Sequence, residues 1–166
     1  PNAALPHATP TDRKLQRGDL LIIDWGVFVD DYPSDLTRTF AVGEIDPELR
    51  RIYNTVLLAN EQARLATRPG VSGRDVDRAA RDVIDDAGYG EYFIHRTGHG
   101  LGLEVHEPPD ASPANRQPLA AGNVFTVEPG IYLPGRGGVR IEDNVAVIAD
   151  GCRTLTSFPR ELMTVG

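Results

Sequence analysis

The chain has 166 residues, 40% of them hydrophobic and 25% charged, an ordinary balance for one domain that buries a core without disulfide staples. Its formal net charge of −7 argues against nucleic acid or an anionic membrane as partner, and the excess acid serves either solubility or the neutralisation of bound cations. The single cysteine, Cys152, excludes an internal disulfide and a multi-cysteine zinc site and suits a reducing cytoplasm, and no apolar run nears the roughly 18 residues of a membrane span.

Residues 1–18 are punctuated by Pro6, Pro10 and Gly18, show no signal peptide, and read as the middle of a longer, processed or cleaved polypeptide. Residues 20–29 are a β-rich run, and residues 36–42 alternate Thr and Phe. Asp30, Asp31 and Pro33 between them supply turn residues, so a hairpin is expected. Asp46-Pro47-Glu48 then offers an N-cap, a proline for the first turn and an acid that suits the helix dipole. Leu49, Ile52, Tyr53, Val56, Ala59 and Ala63 follow at helical spacing up to Pro69-Gly70. A second helix is expected over about 72–87, with Val76, Ala79, Ala80, Val83 and Ile84 inward and Gly88 as its stop. Strands return at 97–106, a proline-rich loop fills 107–118, and 123–133 pairs with 138–148 through Pro134-Gly135-Arg136-Gly137. That order fits an α+β domain over residues 1–166, with helices on one face of a curved antiparallel sheet.

Carboxylates set inside apolar strands are costly unless something compensates for them. Asp24 interrupts Leu20-Leu21-Ile22-Ile23 before Trp25, and Asp35 opens the return strand. In a hairpin with an even loop the two face each other, where like charges repel unless a cation lies between them. His95, His99 and His106 crowd together, and glycines on both sides of His99 let backbone or ligand come close. Glu128 ends Val124-Phe125-Thr126-Val127, while Glu142 shares a strand face with Arg140 and Asp143 takes the other. Each of these residues alone is readable as a solvated or hydrogen-bonded structural group. Together, four acids and one histidine form an oxygen-rich ligand set that suits manganese, cobalt or zinc, and four carboxylates balance two divalent ions.

The segments Asp24-Trp25-Gly26, Ser34-Asp35-Leu36-Thr37-Arg38-Thr39-Phe40, Thr97-Gly98-His99-Gly100-Leu101-Gly102, Thr126-Val127-Glu128-Pro129-Gly130-Ile131-Tyr132 and Gly138-Val139-Arg140-Ile141-Glu142-Asp143 resemble those of the pita-bread metallopeptidases. That group includes prolidase, aminopeptidase P, methionine aminopeptidase and creatinase. Order and spacing agree from end to end, and Arg140-Ile141-Glu142-Asp143 together with the stretch from His95 to Gly100 is most similar to the prolidase and aminopeptidase P branch. The resemblance implies a metal-dependent exopeptidase that hydrolyses the Xaa-Pro bond of dipeptides or short peptides, through a hydroxide shared by two divalent ions, manganese first and cobalt or zinc as alternatives. It implies that Asp24 chelates one ion, that Asp35 and Glu142 bridge both, and that His99 and Glu128 complete the other. It also implies Glu128 as proton shuttle, His95 and His106 as donors to substrate and tetrahedral intermediate, His7 as a further substrate-site histidine, and Arg140 as the partner that orients the bridging carboxylates beside the substrate.

In that family the catalytic domain begins before the position of Pro1 and a separate N-terminal domain precedes it. The chain is therefore expected to be the C-terminal portion of the catalytic domain, and the intact protein a homodimer or higher homo-oligomer. Three other functions compete with the exopeptidase: a non-catalytic binding module that keeps the fold, a structural or regulatory metal-binding protein, and a related aminopeptidase without proline preference. Two bound ions with chelator-sensitive hydrolysis separate the enzymes from the rest.

Overall fold

In a computed structural model of residues 1–166, the first apolar run is cut short, and strand β1 covers Leu20–Trp25 only. It pairs antiparallel with β4 (Leu36–Val42), and the residues between fold back as a ribbon of β2 (Phe28–Val29) and β3 (Tyr32–Pro33). Its tip is the expected turn. Asp30 and Asp31 take φ of 48° and 66°, the left-handed pair that a two-residue loop between right-twisting strands requires. The ribbon changes the register that spacing alone suggested. Asp24 lies opposite Thr37, and Asp35 sits two positions from Thr37 on the same face, so the two acids are diagonal neighbours and not a directly opposed pair.

Helix α1 (Pro47–Ala66) starts at its expected cap, where the Asp46 carboxylate accepts from the Glu48 amide at 2.8 Å. Helix α2 (Gly73–Asp86) is capped by the Ser72 hydroxyl, which accepts from the Asp75 amide at 3.2 Å, and the chain turns away at Gly88 with φ of 84°. Their inward faces, among them Ile52, Val56, Ala63, Val76 and Ile84, meet Val127, Ile131, Val139, Ile141 and Val145 from the later strands in one buried cluster. Fully burying each Ile or Val contributes about 1.5–3 kcal/mol. No helix is long and apolar enough to cross a membrane.

The second half is more finely divided than its sequence suggests. It contains β5 (Gly98–Gly100), β6 (Glu107–Ala111), β7 (Val124–Val127), β8 (Gly130–Leu133), β9 (Gly137–Arg140), β10 (Asp143–Ile148), β11 (Gly151–Thr154) and β12 (Met163–Val165). The extended stretch expected over 97–106 reduces to β5, and the proline-rich loop expected next begins as a strand. Prolines fit there because β6 is the edge of the sheet β11-β10-β7-β5-β6, where a missing N–H costs no ladder bond. β12 adds parallel to β4, so the first sheet reads β1-β4-β12. The expected long pair exists, but as two ladders, β7 with β10 and β8 with β9, in a single register. Carried through the gap, that register places Glu128 opposite Glu142.

Outside the core, Val27, Phe28, Val29 and Tyr32 stand exposed along the β2–β3 ribbon, beside a cavity of about 920 Å³ that Trp25 and Phe158 also line.

Candidate metal centre

Glu128 and Glu142 sit opposite each other between the β7–β10 and β8–β9 ladders, at a pair whose amides point outward to other strands. The Glu128 amide donates to Thr97 O at 2.7 Å, and the Glu142 amide donates to Thr37 O at 3.1 Å. The two opposed glutamates are thus anchored to different neighbours, while beside them the Ile141 amide donates across to Pro129 O at 3.4 Å. Ligand atoms of Asp35, His99 and Glu142 lie within 4.8 Å of one another. His99 Nε2 is 3.6 Å from Asp35 Oδ2 and 3.5 Å from Glu128 Oε1. Asp24 completes the group from the end of β1, its Oδ2 accepting from Arg140 Nη2 at 2.7 Å. His99 is held in one tautomer. Its Nδ1 lies 3.1 Å from Gly100 O, which can only accept, so Nδ1 carries the proton and the Nε2 lone pair faces the acids.

The glycines beside His99 serve backbone approach. A Cβ at Gly98 would run into Thr126 O, and one at Gly100 into Glu107 O. The strands on either side of β5 therefore close on the histidine, whose own amide donates to Thr126 Oγ1 at 3.1 Å.

Burial and like charge raise Asp35, Glu128 and Glu142. Asp35 is pushed up to about 6 by burial and then by the Asp24 carboxylate. Burial takes Glu128 to about 7, and it holds Glu142 well above the ordinary carboxylate range, with the Glu128 and Asp35 charges adding to it. Burial lowers His99, which keeps its imidazole neutral and able to bind a cation. Four carboxylates whose mutual repulsion a cation reverses, with one inward imidazole lone pair, fit a divalent ion of the manganese, cobalt or zinc type.

Behind the acids lies a layer of partners, most of it not singled out in the sequence. Thr37 Oγ1 donates to Glu142 Oε2 at 2.6 Å and accepts from Arg140 Nε at 3.2 Å, so Arg140 and Glu142 do share a face. Arg140 also donates to Tyr132 Oη at 3.2 Å and to Pro6 O at 2.8 Å. His95 is engaged on both sides: Nδ1 is 2.7 Å from Arg96 O, and Nε2 accepts from Tyr132 Oη at 2.9 Å. Burial lowers His95 to about 4, so it is neutral in this role. Asp143 faces away, as alternation predicts, and is sealed between Arg38 at 2.7 Å and Arg160 at 2.6 Å. On α2, Asp77 accepts from the Thr97 amide and hydroxyl, while Arg81 donates to Phe93 O and His95 O, which ties the loop before β5 to the helix. The i,i+4 spacing of Asp77 and Arg81 beside inward-facing Val76 and Ala80 was the available signal for that pair. His7 and His106 are both exposed. His7 lines a cavity of about 610 Å³ with Asp24 and Arg140, and the His106 ring lies 4.1 Å from that of His99.

The arrangement agrees with a family match. The description "Metallopeptidase family M24" fits residues 1–149, nearly the whole chain. The chain belongs to metallopeptidase family M24. Its pita-bread fold is that of solved relatives: a dipeptidase from Pyrococcus horikoshii is 52% identical over 98% of this chain, with a TM-score of 0.96, and an X-Pro aminopeptidase from Thermotoga maritima is 45% identical over 98%, with a TM-score of 0.95. The Xaa-Pro dipeptidase of Pyrococcus furiosus is 47% identical over 97% of it. This M24 chain spans 46% of the length of each of those three proteins. Within the family it therefore lies with the prolidase and aminopeptidase P branch, and a divalent metal is the cofactor that membership implies.

Proposed function

We propose that the protein is a cytoplasmic, metal-dependent exopeptidase that hydrolyses the Xaa-Pro bond of dipeptides or short peptides. The observation that carries this is the meeting of Asp35, Glu128 and Glu142 around the His99 lone pair, with Asp24 beside Asp35 and with the Asp35, Glu128 and Glu142 carboxyls raised by burial and by neighbouring acids. The names of the relatives supply the substrate class. Two divalent ions would be held by those five residues, with Asp35 and Glu142 as the shared ligands and Asp24, His99 and Glu128 as the others.

Divalent ions supply Lewis acidity there, polarising the scissile carbonyl and making water acidic enough to attack at neutral pH. Glu128 would accept a proton from that water and return it to the leaving amine. His106 and His7, exposed at the cleft, donate to the substrate, and His95 hydrogen-bonds it as an acceptor, its Nε2 exchanging the bond from Tyr132 Oη for one from a substrate N–H. Arg140, fixed by Thr37, Tyr132 and Pro6, keeps Asp24 turned toward the site.

The test is hydrolysis by the manganese-loaded protein of Xaa-Pro dipeptides and of longer Xaa-Pro peptides. Turnover that a chelator abolishes and manganese restores is expected. Faster cleavage of the longer substrates assigns an aminopeptidase, and faster cleavage of the dipeptides a dipeptidase. Metal binding without hydrolysis of either overturns the proposal in favour of a binding module.

A further inference from the structure

Asn60 is wholly buried on α1, a place where an amide is costly unless every polar atom is paired. All are paired, and the partners are unusual. Its Nδ2 donates to Val127 O at 3.0 Å and to Ile141 O at 3.3 Å, while its Oδ1 accepts from Arg64 Nε at 2.8 Å. Carbonyls only accept and the Arg64 nitrogen only donates, so this network fixes which way the amide points. Val127 and Ile141 immediately precede Glu128 and Glu142. These are the carbonyls at the gap between the β7–β10 and β8–β9 ladders, where the glutamate amides have turned away to Thr97 and Thr37. Across that gap the Ile141 amide donates to Pro129 O at 3.4 Å, but Pro129 has no N–H to return the bond, and the Asn60 amide takes its place at Ile141 O while also reaching Val127 O from the helix side.

We infer that Asn60 is a positioning residue for the metal centre. It holds the backbones before Glu128 and Glu142 at a fixed separation, and so sets the spacing of two carboxylates that otherwise repel. The inference rests on the proposed role of those glutamates as ligands. Its physical basis is that a binding site is only as well formed as the shell that locks its ligands, and an ion holding two opposed acids senses their separation directly.

The experiment measures manganese affinity by calorimetry, together with the melting temperatures of the metal-free and metal-loaded protein. The variants are Asn60→Ala, Asn60→Ser and Asn60→Gln, with the core change Ile84→Val on α2 as control. Asn60→Ala is expected to bind manganese at least about tenfold more weakly, in line with other residues that support metal ligands, and to lose most of the metal-induced rise in melting temperature. Asn60→Gln, which keeps the donors, is expected to stay within a fewfold of the wild type. Ile84→Val lowers the melting temperature of both forms alike and leaves affinity unchanged. Should Asn60→Ala not fold, Asn60→Ser, which retains one donor, is expected to show the same weakening. A wild-type affinity in whichever of the two folds overturns the role of Asn60 alone, as does equal weakening by Ile84→Val. No manganese binding by the wild type overturns the metal reading, and the inference with it.

Discussion

The hydroxyl of Thr37 donates to Glu142 and accepts from Arg140, and Arg140 in turn grips Asp24, so Asp24 and Thr37 are tied to a pair of residues more than a hundred positions further along the chain. Ligand and substrate roles at this scale are separable by what each replacement removes. Glu142 and Asp35 lie at the centre of the cluster, so Glu142→Ala or Asp35→Ala is expected to release metal and abolish hydrolysis together. His106 is exposed and lies tilted against His99 without joining the ligand cluster. His106→Ala is therefore expected to keep its metal while kcat falls by about 10²–10³, because a donor to the developing oxyanion acts in the transition state more than in the ground state. Metal analysis beside steady-state kinetics checks both, and loss of metal from His106→Ala refutes its role. The residues of this site were largely legible in the sequence, because a charge inside an apolar run is conspicuous. Thr37, Tyr132 and Asn60 were not, since a hydroxyl or an amide at a strand or helix position has no such cost to advertise it.

Among the elements, the helices were the easiest to foresee. Asp46-Pro47 and Ser72 act on amides within their own first turns, and that chemistry is local. The strands depend on partners far away. Nothing in residues 107–111 alone says that they pair with β5, and the prolines argue against it until the edge position is known. Beyond residue 148 the short β11 and β12 carried no pattern that could be assigned, yet β12 closes the first sheet beside β4. β5 is the element on which the site turns, with close neighbours on both sides. Gly98→Ala is expected to force β7 away from His99, lowering the melting temperature and the bound metal together, with a cost of about 1–3 kcal/mol for an overpacked position. Denaturant unfolding and metal content measure the two effects. An unchanged stability would mean that Thr126 can give way.

For the molecule as a whole, the crowding of acids makes stability depend on pH and metal. A carboxyl raised on folding binds its proton more tightly in the folded state, so its contribution is present below the ordinary carboxylate pKa and is lost as pH rises through the folded value. Asp35 at about 6, Glu128 at about 7 and Glu142, held well above the ordinary carboxylate range, act in this direction. His95 and His99 act in the other, since burial lowers them and their contribution is lost as pH falls below the ordinary 6.5. Above that point the histidines are neutral in both states and only the carboxyls matter. The metal-free protein is expected to lose melting temperature between pH 6.5 and about 8, and saturating manganese to remove that loss by replacing protons in the cluster. Scanning calorimetry with and without metal gives the answer, and a metal-free melting temperature that rises over this window contradicts it.

The sequence by itself determined the two helices and their caps, the turn at Asp30-Asp31, the inward and outward faces around Glu142, and the identity of the acids and the histidine that meet. All of these follow from signals within a few residues of one another, or from a charge placed where an isolated charge is unstable. Only the tertiary structure decided that Asp24 and Asp35 are diagonal, that Glu128 and Glu142 are opposed between two ladders in one register, and that His95 is already engaged by Tyr132. Those facts depend on register between distant strands, and register is set by the whole set of partners and not by any one segment.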